Sequence, residues 1–139
     1  MIIGCGTDLV YIPRMKEAIE KWPKKFLRRV FTAAEIKACK SKACPEKHFA
    51  SRFAAKEAFL KALGTGFSKG ISFHEISVEN DSSGKPVLRH KGKVSKILKK
   101  MCHSRESGDP KKGAKIHVSL SDEKDYALAF VILTSETTS

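Results

Sequence analysis

Hydrophobic residues in this chain change their spacing several times, and each change marks an element. Residues 2–8 are largely apolar on both faces and open with the β-branched pair Ile2 and Ile3, which predicts a buried strand. From Pro13 the pattern becomes helical, with Met15, Ala18, Ile19 and Trp22 recurring along one side, and a proline fits the first turn of a helix. Pro23 ends that helix and opens a second short one through Phe26, Leu27 and Val30. Thr32-Ala33-Ala34-Glu35 has the form of a capping box, a hydroxyl acceptor with Glu three positions on, so a third helix starts there and Cys44-Pro45 closes it. The strongest helix spans about 46–63. Its alanines and long straight side chains favour the conformation, Phe49, Phe53, Leu60 and Leu63 project onto one stripe, and Gly64 and Gly66 stop it in the left-handed manner.

Beyond that helix, residues 71–80 and 86–90 read as strands, with Asp81-Ser82-Ser83-Gly84-Lys85 as the turn between them. A basic helix over about 91–102 follows, its inner face formed by Val94, Ile97, Leu98 and Met101. Residues 103–115 are polar, contain Gly108, Pro110 and Gly113, and predict an exposed loop. Strands at 116–121 and 126–133 close the chain, linked by Asp122-Glu123-Lys124-Asp125, and 134–139 is a Ser/Thr-rich tail expected to fray. At 139 residues this is one domain, 1–139, with enough length for a core.

Composition narrows the field without deciding it. The hydrophobic fraction of 41% suits a globular protein, and no run approaches the roughly 20 apolar residues of a membrane span. Without a signal-peptide layout either, the expected location is the cytoplasm. The four cysteines, Cys5, Cys39, Cys44 and Cys102, lack zinc spacing and read as structural or incidental thiols. Net charge is +12, from 27 Lys and Arg against 15 Asp and Glu, so the surface attracts polyanions. Nucleic acid, an anionic membrane, an acidic protein and a phosphorylated cofactor all satisfy that field.

Two carboxylates stand out against it. Asp8 ends the first apolar run, and Glu57 lies on the long helix among Arg52, Lys56 and Lys61. Ala50, Ala54, Glu57 and Lys61 form one strip, whose small members leave room for another chain or a ligand to come close. If strand end and helix meet, Asp8 and Glu57 suit a hard cation such as Mg²⁺, which takes one or two carboxylates plus substrate phosphates. Lys61, one turn beyond Glu57, would reach the same phosphate. The structural alternative has Asp8 capping the turn before Pro13 and Glu57 pairing with Lys61 along the helix. Lys56 falls inside the phenylalanine stripe, so its ammonium must snorkel to an edge or meet an anion. Arg52 is a phosphate ligand or a plain exposed arginine. His117, Ser119 and Ser121 alternate on one face of their strand, as a cleft lining or as surface polars.

Three motifs in order carry a resemblance: Gly6-Thr7-Asp8-Leu9-Val10, the stretch from Arg52-Phe53-Ala54-Ala55-Lys56-Glu57-Ala58 to Gly66, and His117-Val118-Ser119-Leu120-Ser121. Together they resemble the holo-[acyl-carrier-protein] synthases, the small bacterial-type 4′-phosphopantetheinyl transferases, over residues 1–133. The resemblance implies an α+β fold with an antiparallel sheet and a long central helix, assembled as a homotrimer with active sites between subunits. It implies transfer of 4′-phosphopantetheine from coenzyme A to a serine of apo-acyl carrier protein, giving adenosine 3′,5′-bisphosphate. Asp8 and Glu57 would hold Mg²⁺, and Asp8, Glu57 and Lys61 would carry catalysis. Arg52, Lys56, Lys61, Gly64 and His117 would bind coenzyme A, and Arg14, Lys21, Lys25 and Arg28 would dock the carrier protein, with Arg14 and Arg28 the better matches. The family often has a second histidine where this chain has Asp122, and the 103–115 stretch reads as an insertion. The rival from another class is a basic nucleic-acid-binding module, which explains the charge but has no use for Asp8 and Glu57 and lacks an aromatic strip. The reading therefore expects neither a nucleic-acid nor a membrane partner.

Overall fold

The computed structural model describes residues 1–66, 70–103 and 113–135. Strand β1 (Ile2–Tyr11) leads directly into α1 (Ile12–Lys21), α2 (Pro23–Val30) and α3 (Ala33–Lys40), followed by the long helix α4 (Pro45–Leu63). A short 3₁₀ turn (Phe73–Glu75) precedes β2 (Ile76–Asn80) and β3 (Pro86–His90), then α5 (Gly92–His103), β4 (Ala114–Glu123) and β5 (Tyr126–Ser135). The sheet order is β1-β5-β4, antiparallel throughout, with β2 and β3 as a separate antiparallel hairpin. The fold is α+β, as expected.

Helix α4 lies on one face of the sheet and joins two cores. On one side Ala54, Ala58, Phe59 and Leu60 pack with Val131, Leu133, Ile76 and Val94. On the other, Phe49 and Ala50 pack with Met15, Leu27, Val30 and Phe31 from the first helices. Each such large apolar side chain contributes about 1.5–3 kcal/mol by leaving water. Strand β1 sits close against α4 because Gly4 and Gly6 have no side chain. A Cβ on Gly6 would stand 2.7 Å from the Ala62 amide nitrogen and nearer still to the Ala58 carbonyl, and one on Gly4 would overlap the Ala62 carbonyl. The small-residue strip of α4 is therefore filled by the chain's own first strand.

Several local expectations hold. Thr32 and Glu35 form the capping box of α3, with reciprocal bonds of 2.9 and 3.2 Å. Gly64 ends α4 at φ 72°, and Pro86 is the first residue of β3. Others need correction. Residues 71–75 are not strand, because Ser72 caps the 3₁₀ turn and Glu75 bonds back to the Ser72 amide at 2.8 Å. The apolar residues around that Ser-x-x-Glu signature mask it in the sequence. Pro45 opens α4 rather than closing α3. The closing strands run further than expected, with Ala114 paired to Ser135.

The expectation that β1 is buried on both faces also fails for the single chain. Ile3 and the two glycines face α4, whereas Ile2 and Leu9 stay 60% and 62% exposed on the other face. The same division runs along β5. Ala127, Ala129, Val131 and Leu133 are buried, while Tyr126, Leu128 and Phe130 are open. Residues 104–112, the greater part of the predicted insertion, and 136–139 of the tail lie outside the described residues. Among the described residues no helix is long and apolar enough to cross a membrane.

Candidate active site

Side chains alternate along a strand, so Asp8 shares the inward face of β1 with Gly6, and the close approach at Gly6 brings Asp8 to the α4 surface. There it meets Glu57 and Lys61. A cleft of about 350 Å³ opens at this point, lined among others by Asp8, Tyr11, Arg14, Phe26, Phe53 and Glu57. The Lys61 ammonium donates to Asp8 Oδ1 at 3.1 Å and to the Thr7 carbonyl at 3.0 Å. Among the described residues Lys61 thus pairs across to β1, not along its own helix to Glu57. Asp8 caps nothing either, since α1 begins after Tyr11 without a side-chain cap.

The electrostatics follow from this geometry. Partial burial raises the Glu57 carboxyl above the ordinary carboxylate range, the neighbouring Asp8 charge raises it further, and Lys61 offsets part of the effect. Two carboxylates pushed together beside an ammonium repel one another, and the arrangement suits a divalent cation with a phosphate. The donor set fits Mg²⁺, an oxygen-seeking ion that completes its shell with water and substrate oxygens. Among the described residues no group of three or more His, Cys, Asp or Glu could hold a metal alone. A cation at Asp8 and Glu57 would therefore depend on ligand oxygens.

The remaining expected cofactor residues divide. Arg52 is 92% buried by area, with its Nε unpartnered and its Nη1 3.5 Å from the His48 carbonyl. It lines a second, polar cleft of about 380 Å³ together with His48, Ser51, Lys85 and Ser119. The guanidinium also lies against the buried Cys39 thiol, and the part of Arg52 that lines the cleft suits an anion. Asp122 lines the same cleft and is held by Lys47 at 2.8 Å. Burial and the nearby cations Arg52, Lys42 and Lys47 push His48 below its usual value. Gly64 lies three residues past Lys61, with open space where a side chain would be.

Two assignments change. Lys56 is wholly buried, and its ammonium donates to Glu35 Oε1 at 2.6 Å, the Val30 carbonyl at 2.8 Å and the Phe73 carbonyl at 3.2 Å. It meets an anion, as its place in the phenylalanine stripe required, but that anion is Glu35. With three partners and no exposure it cannot reach coenzyme A. His117 pairs with Ile132 and bonds Thr134 Oγ1 at 3.1 Å on the open sheet face, the face turned away from Asp8 and Glu57. Within one chain it does not join their cleft.

Of the basic residues, Arg14 lines the Asp8–Glu57 cleft, and Arg28 lies in the last turn of α2. Lys21 and Lys25 stand over the Trp22 ring at 5.8 and 5.9 Å. Trp22 shares the spacing of the apolar residues of α1, yet it is 53% exposed at the α1–α2 junction. With Lys25, Phe26 and Arg29 it lines a cleft of about 230 Å³, and Phe26 also borders the carboxylate cleft. Pro23, the first residue of α2, is the sequence sign of that junction.

Carboxylates and an ammonium at one cleft and a guanidinium at a second, polar one, on an α+β scaffold, are the working parts of a phosphoryl-transfer enzyme. Residues 4–131 match the family model described as the 4′-phosphopantetheinyl transferase superfamily, and the chain belongs to that family. It is 46% identical to a holo-[acyl-carrier-protein] synthase of Wolbachia pipientis subsp. Culex pipiens (strain wPip), over 98% of this chain and 100% of the relative. Among solved structures it is similar to the holo-[acyl-carrier-protein] synthase of Neisseria meningitidis, with TM-score 0.81 and 36% identity over 96% of this chain and 99% of that one. It is also similar to the Bacillus anthracis holo-(acyl-carrier-protein) synthase in complex with CoA (3′,5′-ADP), with TM-score 0.72 and 32% identity over 96% of each chain.

Proposed function

We propose that this chain is a cytoplasmic holo-[acyl-carrier-protein] synthase that moves 4′-phosphopantetheine from coenzyme A to a serine hydroxyl of apo-acyl carrier protein. The observation that carries the proposal is the meeting of Asp8 and Glu57 in one cleft, with Lys61 bonded to Asp8 across 53 residues of sequence, in a chain of this family. In the reaction the serine oxygen forms a bond to the β-phosphorus and the diphosphate bridge breaks on the other side. Adenosine 3′,5′-bisphosphate departs and the hydroxyl proton is released.

Such transfer needs positioning and charge neutralisation more than covalent help. Lys61 offsets charge on the departing phosphate, and its bond to Asp8 keeps the ammonium at the cleft. The hydroxyl proton goes either to Glu57 or to a water beside it. Asp8 and Glu57 would hold Mg²⁺, which when bound supplies Lewis-acid polarisation of the diphosphate oxygens. Arg52 supplies a fixed guanidinium for a phosphate of coenzyme A, with Gly64 leaving open space beside Lys61. Arg14, Lys21, Lys25 and Arg28 offer the acidic carrier a cationic approach.

The open sheet face supports self-association as a trimer of single-domain subunits, residues 1–139. Leu9, Tyr11, Leu128 and Phe130 are large apolar residues standing next to one another in the β1–β5 register, each at least 40% exposed. A face of this kind is usually covered, and coverage by further copies would give His117 on the same face a route to a neighbour's cleft. Release of adenosine 3′,5′-bisphosphate, followed by chromatography, tests the activity. It should require apo-carrier protein, coenzyme A and Mg²⁺ together, and release without a carrier would point to a hydrolase instead.

A further inference from the structure

Lys56 and Glu35 are buried, charged and absent from the chemistry above, and together they hold four segments around the residue next to Glu57. Glu35 Oε1 receives the Lys56 ammonium and the Thr32 amide, and Oε2 receives the Val78 amide at 3.0 Å. The remaining Lys56 bonds go to Val30, the last residue of α2, and Phe73, the first of the 3₁₀ turn. The ammonium also stands 5.4 Å from the centre of the Phe31 ring. The end of α2, the start of α3, the 3₁₀ turn and β2 are thus all tied to a single position of α4.

The consequence concerns distance. Helix α2 carries Phe26, at the border of the carboxylate cleft, and the cations Lys25, Arg28 and Arg29. Glu57 is the next residue of α4 after Lys56. A second bond steadies the same relation, since His74 in the 3₁₀ turn donates to the Arg28 carbonyl. We infer that the Lys56–Glu35 pair is a positioning device: it fixes α2 relative to Glu57, and so sets where a carrier protein docked on α2 presents its hydroxyl. A buried ion pair is a weak source of stability, since burial costs roughly what the attraction returns. A role in setting position explains the pair better than stabilisation does. This inference rests on the reading of the site as a phosphopantetheinyl transferase.

The test compares wild type with Lys56→Met and with the double variant Glu35→Gln/Lys56→Met, which leaves no lone buried charge and keeps an acceptor for the Val78 amide. Wild type must first show carrier-dependent transfer; if it does not, the functional reading fails, not the positioning claim alone. In the folded double variant, kcat/KM for the carrier should fall by about tenfold to a hundredfold, the cost of misplacing a reactant by roughly an ångström. Coenzyme A affinity by calorimetry should stay within about twofold, since a factor of two is small beside the tenfold step of 1.4 kcal/mol. Emission of the single tryptophan, Trp22 at the start of α2, should shift in the same variant. Unchanged carrier kinetics, or equal losses for carrier and coenzyme A, would overturn the inference. So would failure of both variants to fold, because the pair would then be needed for folding itself.

Discussion

Lys61 on α4 is bonded to Asp8 on β1 at 3.1 Å across 53 residues of sequence. The bond joins the two halves of the site and separates their charges unequally. Asp8 has an ammonium on one oxygen, whereas Glu57 feels burial and the Asp8 charge and only part of the relief from Lys61.

Glu57 should therefore titrate above an ordinary glutamate, and its neighbours should move it in opposite directions. Asp8→Asn removes a like charge and should lower the Glu57 value; Lys61→Met removes an opposite charge and should raise it. The sign for stability follows. The native state favours the protonated carboxyl, so the contribution of Glu57 is best below its unfolded value and declines as pH rises through the folded one. Carbon-13 NMR of labelled glutamate side chains reads the titration directly. Shifts of the same sign in both variants would contradict the arrangement.

Gly6→Ala should destabilise the protein and displace Asp8. The added methyl meets backbone atoms of α4 on a helix that is packed on both sides, so neither partner can move without cost. The expected loss is about 1–3 kcal/mol, as for other overpacked sites, and transfer activity should fall even in the fraction that stays folded. Urea unfolding gives the first quantity. A variant as stable as wild type would show that β1 is not held as described.

The charge reversals Arg14→Glu and Arg28→Glu should raise the apparent KM for carrier protein and weaken its salt dependence. They should hardly change coenzyme A binding, because cations at a rim act chiefly on association. The expected rise is about tenfold, or roughly 1.4 kcal/mol for two lost contacts. Steady-state kinetics with varied carrier and calorimetry with coenzyme A separate the effects. Equal damage to both ligands would place these arginines elsewhere in the reaction.

Leu128→Asp should shift the protein towards single chains. Leu128 lies opposite Leu9 in the register, on the apolar face that the proposed neighbours cover. Sedimentation of wild type should give a trimer and of the variant a smaller species. A wild-type protein that sediments as a monomer would remove the assembly from the account.

The sequence was most legible where local physics decides. The Thr32–Glu35 box and the Gly64 stop need only neighbours, and the structure has both as the sequence predicts. The meeting of Asp8 with Glu57 came from resemblance, because nothing in their spacing shows that two glycines let β1 lie on α4. Lys56 was legible as a lysine in need of an anion, but Glu35, 21 residues earlier, was already explained as a cap. Two-sided burial of β1 does not hold within one chain, because apolar residues on both faces do not reveal whether the second face is covered by this chain or by another.

Mass spectrometry of apo-acyl carrier protein, incubated with coenzyme A, Mg²⁺ and this protein, tests the central claim most directly. The account predicts that the carrier gains the mass of one 4′-phosphopantetheine group, and that a chelator prevents the gain. It also predicts that Asp8→Asn and Glu57→Gln, each folded by circular dichroism, lose it by about a hundredfold or more in rate, as for other groups acting on developing charge. A carrier of unchanged mass with wild type would contradict the proposed function. Near-normal modification by either folded variant would contradict the assignment of the site.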